Sequence, residues 1–197
     1  AVAVNLMNQR TSHFLNDNWP LTSIELQAMA QVSYRGETAT DTQKSTTAAM
    51  MGGWFDPERA SDYYNFRNSR EDMAMMFEEA MMKYHFDIDR DIAFTPEPSE
   101  ASPSCDDYQI AWGVRNRVAA PQVVERAAYV IQRLIPDNAA AAIAYFYALG
   151  NDTNLTQGAG WCESIDDIEP TEMRLRSKPD RISESTQWRN DLRIPDE

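Results

Sequence analysis

The chain has 197 residues, enough for one domain with its own core and short for two. Its 31 acidic and 18 basic residues leave a net charge of −13, which argues against nucleic acid or an anionic membrane surface as partner, because both need clustered cations. The longest apolar run, AAAAIAYFYAL over 139–149, is too short to span a bilayer.

In chain order, residues 1–20 read as irregular, Asn-rich and stopped at Trp19 and Pro20. The chain opens on Ala1 with no leader pattern after it, which reads as a processed, trimmed or unobserved start. A helix is predicted over 21–34, with Thr22 or Ser23 as N-cap, Ile24, Leu26, Met29, Ala30 and Val32 inside, and Gly36 as its stop. A weaker helix is predicted over 41–51, where three threonines lower the propensity. Residues 52–68 read as a loop whose five aromatics pack on something or line a cleft.

The strongest helical signal runs over 70–84, with Ser69 as N-cap and Asp72 at capping-box distance. Met73, Met76, Phe77, Ala80, Met81 and Tyr84 make its apolar stripe, the methionines as adaptable core filler, and Glu78 and Glu79 a solvated face. His85 falls in the last turn, where a cation is favoured, and His13 reads as a surface residue. Alternation over 85–95 and again over 108–118 predicts two strands that pair as an antiparallel ribbon, with Asp87, Asp89 and Asp91 on one solvent-facing side. A Pro/Ser loop, 96–107, joins them. Pro121 opens a helix over 121–135 that buries Val123, Val124, Ala127, Val130, Ile131 and Leu134. A last helix, 139–149, is capped by Asp137 or Asn138 and closed by Gly150.

The expected fold is therefore mainly α with a small antiparallel β ribbon, an α+β chain. Residues 1–150 make one helical domain with the ribbon near 86–118, and 151–197 an extended polar tail packed on it through anchors such as Trp161 and Trp188. Cys105 and Cys162, the only cysteines, lie in polar stretches and are expected to form one disulfide, which places the chain in an oxidising compartment. Asn151 and Asn154 each begin an N-x-[ST] sequon, used only where the source glycosylates.

One segment carries a resemblance. YNFRNSREDMAMMFEE, residues 64–79, resembles the downstream ligand segment of gluzincin-like H-E-x-x-H…E zinc peptidases, and is similar to metallopeptidase-like lipoproteins of the bacterial envelope. The resemblance implies a zincin-like C-terminal subdomain in which Glu71 is the third zinc ligand. Tyr64, seven residues before it, becomes a donor to the developing oxyanion of a peptide substrate. No H-E-x-x-H occurs in the chain, whose histidines are His13 and His85 alone. Two explanations follow. Either an upstream segment of the same protein, or another chain, completes the site, or the fold persists without catalysis as an extracellular structural or interaction protein.

Overall fold

The computed structural model describes residues 11–150 and 153–166. The fold is mainly α with a small antiparallel sheet, as the sequence predicts. The first departure is at the start, where residues 11–18 are helical (α1) rather than irregular. Propensity there is poor, but Leu15 is fully buried, Phe14 stacks on Tyr129 with ring centroids 4.9 Å apart, and Trp19 packs tilted against the same ring at 5.5 Å. Packing of a few large side chains outweighs the local preference.

Helix α2 (Ile24–Arg35) is capped by Ser23, whose hydroxyl accepts from Leu26 N, and ends at Gly36 in the left-handed region, φ 73°. Leu26 and Ala30 face inward, whereas Ile24, expected inside, is 73% exposed. Two residues on a helix are about 200° apart, so Ile24 and Leu26 cannot share a face. The helix predicted over 41–51 is two helices, α3 (Asp41–Lys44) and α4 (Ala48–Phe55). Thr47 breaks them apart: it is extended, and its hydroxyl caps Met50 N at 3.2 Å. Helix α4 also runs through Gly52 and Gly53, where a loop was expected. A Cβ on Gly52 would lie 2.2 Å from Trp112 Cβ, so this glycine allows a helix to touch the sheet.

A 3-10 turn, Tyr63–Arg67, leads into the long α5 (Ser69–Phe86). The cap is Asn68 rather than Ser69: its Oδ1 accepts from Arg70 N and Glu71 N at 3.0 and 3.1 Å. Helix α5 extends to Phe86 and stops at Asp87, φ 55°, so the first strand starts later than its alternation suggests. Strand β1 (Asp91–Phe94) pairs antiparallel with β2 (Trp112–Arg115), Ile92 opposite Val114 and Phe94 opposite Trp112. Strand β3 (Thr153–Asn154) pairs on the far side of β2, giving the order β1-β2-β3. Helices α6 (Val124–Leu134) and α7 (Ala139–Leu149) follow the predicted spans closely, although Pro121 lies in the turn before α6.

The compact unit continues past residue 150, to Ser164. Strand β3 and the first four residues of helix α8 (Trp161–Asp166) belong to it, and Cys105 and Cys162 form the expected disulfide with Cα atoms 5.5 Å apart. Gly160 permits that approach, since a Cβ there would meet Asp106 at 2.8 Å. The remainder of the predicted tail, Trp188 and Asn151 lie outside the described residues. Among the described residues no helix is long and apolar enough to cross a membrane.

Two apolar clusters result. One gathers Met73, Met76 and Ala80 of α5 with Val130 and Ile131 of α6 and Phe146 of α7. The other gathers Leu26, Met51, Phe55 and Phe66 against Phe94 and Trp112. A seam of buried polar side chains joins them, with Arg117 and Arg126 both at 0% exposure.

Candidate functional site

Glu71 and Tyr64 are brought to a common neighbour. The Asn68 cap sets Glu71 in the first turn of α5, where the exposed N–H groups favour a carboxylate. Its Oε1 lies 3.6 Å from Arg67 Nη1, and the same guanidinium sits 5.2 Å over the Tyr64 ring. Tyr64 in turn packs edge-on against Tyr34, centroids 5.1 Å apart. His85 is exposed in the last turn of α5, 14 residues or about 21 Å along the helix from Glu71. Among the described residues, the one set of three metal-capable donors is Cys105, Asp106 and Cys162, and its two sulfurs are bonded to each other. A lone carboxylate already paired with a guanidinium does not make a zinc site, so zinc at Glu71 would require ligands from elsewhere.

The other acids of α5 serve the interior. Asp72, expected to close a capping box, is 2% exposed and pairs with Arg126 of α6 through both carboxylate oxygens. Asn65 Nδ2 donates to Asp72 Oδ1 at 2.7 Å, and Arg126 also donates to Arg59 O at 2.6 Å. Burial pushes the Asp72 carboxyl up, while Arg126 and then Asn65 pull it back. Glu79, expected in solvent, is 2% exposed, and its Oε1 accepts from Val118 N at 2.9 Å. Burial raises its pKa to about 7, against the Val118 N–H, Arg90 and Ser61, with Asp62 adding to the rise. Lys83 bridges Asp87 and Asp89 at 2.7 Å each, and Arg115 grips Asp91 by both oxygens. Asp87 and Asp89 are exposed, as expected, but precede β1 and pair with Lys83, so the three aspartates do not form one strand row.

Arg117 closes the seam at its other end. It donates to the carbonyls of Ala60, Phe55, Asp56 and Glu58 at 2.7–3.1 Å and lies 4.7 Å over the Phe55 ring. Glu58, 3% exposed, accepts from Thr22 N, Thr22 Oγ1 and Ser23 N, which ties the start of α2 to the same loop. Sequence reading passed over both arginines and Glu58, because nothing local marks a charge whose partners lie dozens of residues away.

Of the five aromatics in 52–68, Phe55 and Phe66 are buried in the second cluster and Tyr63 lines a cleft of about 460 Å³. Met29 and Ser33 of α2, Met51 of α4, Asp62, Tyr63, the whole of β1 and Trp161 form its walls. The Tyr63 hydroxyl meets Ser33 Oγ at 3.3 Å, and burial raises the phenol pKa. Asp62 accepts from Tyr64 N at 2.7 Å and from Arg90 at 2.8 Å, and so is held rigidly. The walls thus combine apolar side chains with two fixed carboxylates, Asp62 and Asp91, both occupied by arginines behind them. That arrangement can position a ligand, and the ordinary binding-pocket range of roughly 300–1,000 Å³ includes it. Compared with protein-family models, curated proteins and solved structures, the chain matches none.

Proposed function

We propose that this chain is a non-catalytic interaction module of the cell envelope or extracellular space. The observation that supports it is the use of its acids and bases: Asp72, Glu79, Arg117 and Arg126 are fixed in structural contacts, and the 460 Å³ cleft is walled by apolar groups and by carboxylates each held in an arginine ion pair. The disulfide fits the oxidising compartment that this setting implies. The test is a peptidase assay on the full chain with added zinc and a mixture of fluorogenic peptides. No turnover above buffer is expected. Turnover that Glu71→Gln removes would overturn the proposal.

A second reading is favoured by one contact set, the Arg67 side chain that touches both Glu71 and Tyr64. In it the chain is the C-terminal portion of a zinc metallopeptidase-like envelope lipoprotein, and an upstream segment or another chain brings H-E-x-x-H. Glu71 would leave Arg67 to hold the metal, and Tyr64 would serve a peptide substrate. Calorimetric zinc titration of the longest natural form tests this. Stoichiometric zinc lost in Glu71→Gln supports it, and zinc binding unchanged by that substitution removes it.

A further inference from the structure

The cleft and the sheet share β1, and β1 is an edge strand. The carbonyls of Arg90 and Phe94 accept from Asn116 N at 2.8 Å and Ala111 N at 3.0 Å, so even-numbered positions of this strand face β2. The period of two then turns the N–H and C=O of Asp91 and Ala93 the other way. Among the described residues these four groups have no hydrogen-bond partner. The cavity is lined by all of Asp91, Ile92, Ala93 and Phe94. Successive side chains of a strand point to opposite faces, so a cavity that touches four in a row runs along the edge and not over one face.

A row of free backbone donors and acceptors about 6.8 Å apart is complementary to one kind of ligand above others, another extended backbone. Met29, Met51 and Tyr63 beside it form an apolar recess for a side chain of that ligand. The acidic side chains on the cleft wall, Asp62 and Asp91, are each held by one arginine, and the chain carries −13 overall, so the surrounding field favours a cationic ligand. We propose that β1 is a strand-addition site for an extended, basic segment of a partner protein. The segment pairs with Asp91 and Ala93 and sets one apolar side chain against Met29 and Met51. This inference rests on the interaction-module reading and names its ligand class.

The experiment is fluorescence anisotropy of the full chain with a labelled peptide of alternating Lys and Val, about eight residues long. Its glutamate counterpart and a form N-methylated on alternate amides serve as comparisons. Saturable binding is expected for the lysine peptide, about tenfold weaker once N-methylation removes ladder donors, and undetectable for the glutamate peptide. Ala93→Pro deletes an N–H that no described residue uses, and it should weaken binding by a similar factor while thermal unfolding shows the chain still folded. If that variant does not fold, the N-methylated peptide alone decides. Equal affinity for the methylated or glutamate peptide overturns the proposal. So does a dimer in sedimentation that Ala93→Pro dissolves without any peptide binding, which would assign the edge to a second copy. The interaction-module reading itself falls only on zinc-dependent cleavage, so the two failures are distinct.

Discussion

Glu79 makes the stability of this protein depend on pH in a direction opposite to that of most structural carboxylates. In the fold it is 2% exposed and accepts from Val118 N, while among the described residues its second oxygen has no partner in hydrogen-bond geometry. Desolvation dominates and lifts its pKa from 4.5 to about 7. Because the folded pKa is the higher, the folded state holds a proton between these values that the unfolded state has released. The resulting stabilisation is full below 4.5 and is lost as pH rises to about 7. At about 1.4 kcal/mol per pH unit, the interval amounts to about 3 kcal/mol. Glu79→Gln is a neutral stand-in for the protonated acid, since its amide oxygen can still accept from Val118 N. Urea unfolding of both proteins across this pH range, at fixed ionic strength, isolates the effect in their difference, because the other acids titrate in both. The wild type should lose about 3 kcal/mol relative to Glu79→Gln between the acid and neutral ends. Parallel stability curves would refute the reasoning, since they would mean that Glu79 is hydrated and not desolvated.

Three further outcomes follow from the packing. Arg126→Met should cost about 3–5 kcal/mol in denaturant unfolding, because it strands the Asp72 carboxylate in the interior, and adding Asp72→Leu should recover most of the loss. Replacing Cys105 and Cys162 by serine should cost about 4 kcal/mol by the loop-entropy argument, given their separation of 57 residues, and the loss should equal that caused by reductant on the wild type. Gly52→Ala and Gly53→Ala should differ in sign: the first drives a Cβ into Trp112 and costs about 2 kcal/mol or more, while the second meets nothing within 4 Å and gains up to about 1 kcal/mol of helix propensity. Thermal unfolding of the two single variants checks this.

Apolar spacing made the helices that build the first cluster readable. Met73, Met76 and Ala80 in α5 and Val123, Ala127, Val130 and Ile131 around α6 lie where their periodicity puts them. Gly36 and Gly150 are equally informative as stops. The splitting of α3 from α4 was harder, since a threonine run lowers propensity everywhere without saying which hydroxyl becomes the cap. Gly52 misled for a related reason. A glycine pair reads as a loop, whereas here one glycine is present for what approaches it from 60 residues further along, Trp112.

The charged residues of α5 show where a single sequence stops informing. Asp72, Met76, Glu79 and Lys83 are spaced four, three and four apart, which is one face of a helix, and all four are buried. The wheel alone therefore contained the geometry. It did not contain the partners: Arg126 for Asp72, the Val118 N–H for Glu79, and Asp89 beyond the helix end for Lys83. Without them, burial of a charge is prohibitively costly, and assigning Glu79 to solvent was the physically consistent choice. The Tyr64 and Glu71 pair has the reverse history. It was singled out by resemblance, yet Arg67, four residues before Glu71, stood in plain view as an ion-pair partner. The same consideration governs the cleft. Its carboxylates are held in place by Arg90 and Arg115, so what distinguishes it is not a reactive side chain but the free backbone of β1, a feature that depends on which strand lies at the edge and that residue identity alone does not encode.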